Sequence, residues 1–449
     1  MRDMERIGCT RRRVEFRGRT QMRHSRENPM DLTITLPRAR TVWLARALAF
    51  AAFLFFCVRV FIPSLTAVTD GFPSYYTGAR LIVEGRWSSQ VYDYEWFRQQ
   101  VLALTDGRIG ETLRLNPPTT SLLMLPLALF DIQTARLLWL LINLLLLAAA
   151  FWLTFESLPA HDATFRAVFV AGALLYAPLW ENFRVGQVYA LLLTLYALAW
   201  WDTGQGRSPA TGLALGSAAA IKLSGAPLWL LLALRGRFRA LGIGLIVVAI
   251  LSAASLLFSG LDGWNIFLFG MPERVASLGF TADLAFQTTP SFFQHLFVYQ
   301  TEWNPNPILQ APFVATILTL LVIIFAVGLT CWFGREADWH VLFAAGTTLS
   351  VILFPLAEEY HYTLLLLPLA VVSWHVYQTR ASSDLLWLAL VVLLLALPFP
   401  YKSPMLRDGW LALLAYPRLY SGWLLFLWLL RQMVRPSAAR VGSPSGATP

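Results

Sequence analysis

The sequence predicts an all-α integral membrane protein. Three observations predict it. Hydrophobic residues make up 57% of the 449-residue chain and charged residues only 14%, against roughly 25% charged in a soluble domain. The apolar residues fall into runs near the length that crosses a hydrocarbon core, giving a bundle of about 12 transmembrane helices. The 18 Trp and 30 Phe suit bilayer interfaces and packed helices.

The net charge of +9 raises nucleic acid as a partner, but its distribution argues for a membrane. Arginines crowd the first forty residues, from Arg2 to Arg40, and recur in short clusters between apolar runs, as the positive-inside bias requires. No aromatic-interleaved basic motif accompanies them, so membrane lipids are the expected partners and nucleic acid is not. Cys9, Cys57 and Cys331 have neither metal-site nor disulfide spacing. The first apolar run is long enough to span and has no small-residue cleavage site. Residues 1–40 therefore read as a basic, disordered cytoplasmic tail, 41–432 as one polytopic membrane domain, and 433–449 as a second disordered cytoplasmic tail.

The first span runs from Val42 to Ile62, stopped by Pro63, with Arg46 and Arg59 near its ends, where both can snorkel. Residues 63–116 form a polar loop, in which Tyr75–Glu84 and Tyr94–Leu104 read as amphipathic helices on the membrane surface. Asn116-Pro117-Pro118 precedes a short span, Thr119–Phe130, and then a long one, Leu137–Phe155. Phe165–Trp180 and Val188–Trp201 are shorter and are separated by Glu181–Gln187; they either cross or re-enter. Ala210–Leu234 is rich in Gly, Ala and Ser, which let helix backbones approach closely, but carries Lys222 in its middle. Leu241–Phe258 follows, then a second polar loop at 259–307, then spans at Ile308–Phe333, Val341–Leu356, Thr363–Tyr377, Leu385–Leu397 and Trp410–Leu430. Crossing once each, these spans put Arg235, Arg237, Arg239, Arg335, Arg380 and Arg431 inside, with both termini. Loops 63–116 and 259–307 and Glu358–His361 then face the exterior.

Four polar features converge on that exterior side or within the bundle: Asp70, Lys222, the Asn182/Gln187 pair and Glu358-Glu359-Tyr360-His361. A carboxylate at a bilayer boundary beside Tyr75 and Tyr76 is either a solvated loop residue or a catalytic group. An intramembrane cation costs about 2.5–3.5 kcal/mol, so Lys222 needs a carboxylate such as Glu358, a watery cavity or an anionic ligand. His361 is either an interfacial hydrogen-bonding group or a phosphate contact. No Walker loop, dinucleotide Gly-rich turn, His-Glu-x-x-His or Ser-x-x-Lys set occurs, and no cofactor is expected. What remains suits a donor that is itself a lipid. A polyprenyl-phosphate sugar holds its phosphate at headgroup level, where Lys, Arg or His balances the leaving charge, and one carboxylate accepts the acceptor's proton.

Several segments, in this order, resemble glycosyltransferase family 87. They are Asp70-Gly71-Phe72-Pro73-Ser74-Tyr75-Tyr76 through Arg80, Glu84-Gly85, Val91-Tyr92-Asp93, Asn116-Pro117-Pro118, Leu125-Pro126-Leu127 and Ala135-Arg136-Leu137-Leu138-Trp139. Asn182 with Val185-Gly186-Gln187-Val188, Ala220-Ile221-Lys222-Leu223, and Pro355 with Tyr360-His361-Tyr362 follow. The resemblance implies a C-type glycosyltransferase fold and transfer of a hexose, often mannose, from a polyprenyl-phosphate sugar to a lipid or glycan acceptor at the outer face of the cell membrane. Mycobacterial enzymes that extend phosphatidylinositol mannosides are of this kind. It implies Asp70 as general base and no metal. It also makes Lys222, His361 and Arg80 candidates for the donor phosphate, and Tyr75, Tyr76, Asn182, Gln187, Glu358 and Glu359 candidates for substrate contact. In one respect the chain departs from the family pattern, in which Phe follows the acidic residue directly; here Gly71 intervenes, and Asp93 stands as the fallback base, with Glu358 and Glu359 behind it. A carrier or flippase of lipid-linked sugars is the alternative, for which internal repeats with matching broken helices are expected; none is evident in the sequence. A non-catalytic scaffold would leave Asp70 and Lys222 without a purpose.

Overall fold

The computed structural model describes residues 38–113, 116–270, 273 and 282–434. The expected tails lie outside them, apart from the few residues that join the first and last helices. Among the described residues every regular element is helical, and the single β-contact is an isolated bridge between Gln300 and Asn304.

Helix α1 (Ala39–Thr66) contains one π turn, Cys57–Phe61. It is followed by α2 (Phe72–Val83) and α3 (Tyr94–Leu104). Helix α4 (Ile132–Ser157) starts at Asp131, whose Oδ1 accepts the Gln133 and Thr134 N–H groups at 3.0 and 3.1 Å, an N-cap that satisfies donors the helix leaves free. Asp162 caps α5 (Ala163–Leu174) in the same way. Helices α6 (Ala177–Val185), α7 (Tyr189–Gly204), α8 (Pro209–Lys222), α9 (Ala226–Leu234) and α10 (Phe238–Gly270) come next. They are followed by α11 (Thr289–Phe297), α12 (Pro312–Gly334), α13 (Trp339–Ile352), α14 (Leu366–Thr379), α15 (Ser382–Ala396) and α16 (Pro417–Val434).

Helices α1, α4, α10 and α12 are long and apolar enough to cross a membrane, and α5 with α6, bent by 56°, would make a fifth crossing. Their outward sides stay apolar, with Leu257 of α10 91% exposed and Phe313 of α12 75% exposed, as helices set against lipid require. The chain is thus a helical membrane protein. The described helices that pass by length and apolarity are fewer than the dozen expected spans, because proline and glycine break several of the apolar runs. Thr119–Phe130 folds as a four-residue helix, Thr120–Leu123, and a 3-10 turn, Leu127–Leu129, with Pro126 between them where its ring and missing N–H bar a continuous helix. Ala210–Leu234 is cut at Lys222–Gly225, where Leu223 and Gly225 take left-handed backbones. Loop 259–307 begins late, since α10, though broken at Gly260 (φ +58°, ψ −173°), resumes its helix and runs to Gly270.

The small residues of α8 do what their size predicts. A Cβ on Gly212 would lie 2.5 Å from the Ala240 carbonyl oxygen, and one on Gly216 2.6 Å from that of Gly244, so α8 and α10 meet backbone to backbone. Helix α2 is not the surface helix its pattern suggested. Phe72 through Ala79 are all buried, because Gly78 brings α2 within contact of Ser121, whose Oγ a Cβ would meet at 2.7 Å. Helix α3 keeps the expected two-faced character, burying Phe97 and Val101 while Tyr94 stays 44% exposed.

Candidate functional site

Asp70 is exposed and stands two residues before the start of α2 at Phe72. Gly71, at φ +104°, is the hinge: a Cβ there would sit 2.5 Å from the Val185 carbonyl oxygen, so only glycine lets the two backbones come this close. The residue that departs from the family pattern thus presses the Asp70 turn against Val185–Gln187. The first turn of α2 then offers its free N–H groups to Glu111. Ser74 N–H donates to Glu111 Oε2 at 3.3 Å, and Gly71 N–H donates to the same carboxyl.

The facing turn is built from α4. Arg136 is fully buried, and its Nη2 donates to the Phe183 and Arg184 carbonyls at 2.7 and 2.9 Å, capping the negative C-terminal end of α6. Trp139 Nε1 donates to the Gly186 carbonyl at 2.9 Å. Asn182 is buried, with its Oδ1 accepting Tyr189 N–H at 3.0 Å. Gly186 has φ +66°, and a Cβ would fall 2.3 Å from Arg136 Nη1. Gly186→Ala is therefore expected to lower the apparent melting temperature of the purified protein. The left-handed backbone alone costs about 1–2 kcal/mol for a non-glycine residue, and the displaced guanidinium adds to that. An unchanged melting curve would show that the turn tolerates rearrangement.

Lys222 is the last residue of α8, at the break rather than mid-span. A lysine there meets the helix's partial negative charge. The frayed end is tied down from the Asn116-Pro117-Pro118 segment: the Thr119 hydroxyl donates to the Ala220 carbonyl, and that of Thr120 to Ile221 at 2.6 Å. Beyond the break, Ser224 Oγ and Tyr196 OH share a hydrogen bond of 2.8 Å. The Lys222 ammonium lies 5.2 Å from the centre of the Tyr75 ring, within cation–π range, and Tyr75 OH donates to Gln187 Oε1. Glu358 is the carboxylate whose charge Lys222 feels first, and Glu111 adds to it where it is ionised.

Glu111 keeps a strip of exposed surface, but its carboxyl is enclosed. Burial first, and then the charges of Asp70 and Glu358, push its pKa up to about 8 despite the two N–H donors. Burial also raises Glu358, against the pull of Tyr360 OH and of the Lys402 and Lys222 charges; Tyr360 OH donates to its Oε1 at 2.9 Å. Glu358 N–H donates to His361 Nδ1 at 3.0 Å. An imidazole that accepts at Nδ1 is neutral and carries its proton on Nε2, so His361 presents an N–H donor rather than a cation. Tyr189 and Tyr360 pack on that ring at 4.3 and 4.7 Å between centres.

The structure thus brings Lys222, Tyr75, Gln187, Glu358 and His361 into one cluster, with Asp70 at its edge through Glu111. Other sequence candidates have different partners. Arg80 binds Glu84 Oε1 at 2.8 Å and the Ala128 carbonyl at 3.0 Å, and Tyr76 OH donates to the Phe130 carbonyl at 2.7 Å, on another face of α2. Asp93 caps α3 by accepting Trp96 N–H at 2.8 Å. Glu359 pairs with the buried Arg418 at 2.6 Å and accepts Tyr401 OH at 3.1 Å. Glu111, Tyr189 and Lys402 are members that sequence reasoning passed over. The available signal for Glu111 was its being the lone acid between Asp106 and Asp131. Among the described residues no group of three His, Cys, Asp or Glu side chains could hold a metal ion.

Comparison with known proteins fits this arrangement to a family. No curated protein and no solved structure matches the chain. The model of glycosyltransferase family 87 matches residues 115–356, more than half of the chain. The matched part holds the Asn116–Pro118 segment, Arg136, Trp139, the 182–187 turn and Lys222; Asp70, Glu111 and Glu358–His361 lie outside it. The chain belongs to glycosyltransferase family 87.

Proposed function

We propose that the chain transfers a hexose, with mannose the first candidate, from a polyprenyl-phosphate sugar to a lipid or glycan acceptor. The observation that carries this reading is this cluster of side chains. A lysine at the end of a broken helix faces two enclosed carboxylates, and the exposed Asp70 acts on one of them. In one step the acceptor oxygen bonds to the sugar's anomeric carbon, and the carbon–oxygen bond to phosphate breaks. Asp70 takes the acceptor's proton. Lys222 balances the charge on the departing polyprenyl phosphate, and His361 Nε2–H donates to it. A C-type bundle with both termini cytoplasmic and the Lys222 cluster at the exterior face of the cell membrane accords with this chemistry.

The test is to give purified protein labelled mannose as polyprenyl-phosphate mannose and as a nucleotide sugar, with extracted membrane lipids and glycans as acceptors. Label passing to product from the lipid donor alone is the expected result; label passing only from the nucleotide sugar would refute it. The broken pair α8–α9 also suits a carrier of lipid-linked sugars, which would move label across vesicles and form no product.

Glu111 supplies a pH prediction. With a pKa of about 8 it holds its proton at neutral pH and adds no charge beside Asp70. Above that value it ionises, setting a second negative charge against Asp70 and the leaving phosphate. Transfer is expected to fall as pH rises through about 8. Glu111→Gln mimics the protonated form and is expected to keep neutral-pH activity while losing part of that fall, the rest coming from Lys222, whose charge burial makes easier to lose. A Gln variant that keeps the wild-type alkaline limb would remove Glu111 from the account.

A further inference from the structure

Arg418 stands in the first turn of α16 and is fully buried. A cation at that end of a helix is repelled by the helix's partial positive charge, and an apolar side chain of similar volume costs less to bury. Its side-chain contacts lie outside α16. Nη1 donates to the Leu394 and Leu395 carbonyls at 2.9 and 2.6 Å, at the negative end of α15. Nη2 donates to Glu359 Oε1 at 2.6 Å. Tyr401 OH, from the loop between α15 and α16, donates to the other oxygen of that carboxylate at 3.1 Å. The Arg418 guanidinium carbon lies 5.8 Å from the centre of the Tyr401 ring. Both oxygens of Glu359 are thus held from the α15–α16 hairpin.

Glu359 opens a 3-10 turn of seven residues, Glu359–Leu365, longer than the roughly three or four that this poorer hydrogen-bond geometry usually sustains. Such a turn needs ties from outside. Gln287 N–H donates to the Ala357 carbonyl at 2.9 Å, Tyr176 OH to that of Tyr362 at 2.8 Å, and the Thr363 hydroxyl to that of Pro178 at 3.1 Å. Between these ties lies the stretch that carries Glu358 and His361, and the Glu359 carboxylate is where Arg418 and Tyr401 reach it. Glu358 N–H donates to His361 Nδ1 at 3.0 Å, which leaves the imidazole proton on Nε2. A shift of Glu359 therefore turns its neighbour's N–H, and with it the ring.

We infer that Arg418 and Tyr401 are positioning residues for transfer: by gripping Glu359 they set the Glu358 N–H that orients His361. This rests on the transfer reading, in which His361 donates to the leaving phosphate. The guanidinium fork divides between the end of α15 and a carboxylate two residues from His361, so it carries the placement of the hairpin into the Lys222 cluster. Lysine lacks the planar fork. In place of Arg418 it keeps the charge but cannot span the helix end and Glu359 together.

The test reads position and turnover separately. The full chain is purified with isotope-labelled histidine, and the ring-nitrogen NMR signals of His361 are assigned by their loss in His361→Gln. Mannose transfer from polyprenyl-phosphate mannose and a thermal melt are measured on the same preparations. Tyr401→Phe removes one hydroxyl and leaves the ring in place, so it is expected to fold even where Arg418→Lys does not. Each variant should shift the His361 Nδ1 signal and lower kcat about tenfold, the rate equivalent of one hydrogen bond to a charged group. In a His361→Gln background Tyr401→Phe should add about twofold or less, because residues that act through one another do not add. Wild-type His361 signals in Tyr401→Phe would overturn the assignment, as would its full tenfold loss in the His361→Gln background. A lowered melting temperature with unchanged signals and unchanged kcat would make the network a staple of the fold and nothing more. Should the wild type transfer no mannose from the lipid donor, the transfer reading fails, and the His361 signals alone decide whether Arg418 and Tyr401 set that ring.

Discussion

Asp70→Asn is expected to reduce sugar transfer by about 10²–10⁴-fold, the span a positioned general base contributes, while the protein still inserts and melts as the wild type does. The variant keeps the side chain's size and loses only its capacity to take a proton. Asp70 is exposed, and the neighbouring turn is held by Gly71 against Val185 and by Ser74 N–H on Glu111, so the fold does not depend on its charge. The check is a rate measurement with saturating lipid donor beside a thermal melt of the same preparation. Full activity in Asp70→Asn would remove it as the base. Glu111 would then be the carboxylate to suspect, ahead of Asp93, which is occupied as the cap of α3.

Lys222→Met is expected to produce the second large loss, about 10²–10³-fold in turnover, comparable to removing one group that stabilises transition-state charge. Methionine matches the aliphatic stem but leaves Glu358 and Glu111 without the cation they face. The loss should fall on donor use more than on acceptor use, because the ammonium is read as the partner of the leaving phosphate. Lys222→Arg should restore part of it. Donor kinetics unchanged in Lys222→Met, together with a lowered melting temperature, would make the lysine a structural partner of the two carboxylates.

Lys222 stood out in the sequence because a lone charge in apolar surroundings is costly unless it is used, and Asp70 because it is an acid at the boundary between the first apolar run and a polar loop. The membrane character was legible for the same energetic reason. The partners were not. Thr119 and Thr120 hold the end of α8 from a hundred residues away in the chain, and Arg136 and Trp139 cap the 182–187 turn from the next helix but one; neither contact leaves a local pattern. Helix α2 was misread because an amphipathic period of 3.6 looks the same whether its apolar face meets lipid or protein, and only the closeness of Gly78 to Ser121 decides. The break in Ala210–Leu234 had a signal in Gly225 and Pro227, outweighed by the run of small apolar residues around it. Gly71 appeared as a residue inserted into the family pattern, either tilting Asp70 or supplying the turn, and its positive φ and its contact with Val185 make it the hinge of the turn. Glu111 sits in a loop with no periodicity at all, and only the folded chain sets it beside Asp70.

The central claim is a single displacement at the sugar's anomeric carbon, assisted by one base. One displacement inverts the configuration of that carbon, whereas a covalent sugar–enzyme intermediate and two displacements retain it. The most direct measurement is therefore the anomeric configuration of the transferred hexose, read by NMR of the product formed from a polyprenyl-phosphate sugar of known configuration. Inversion is the predicted result, and retention would contradict the account.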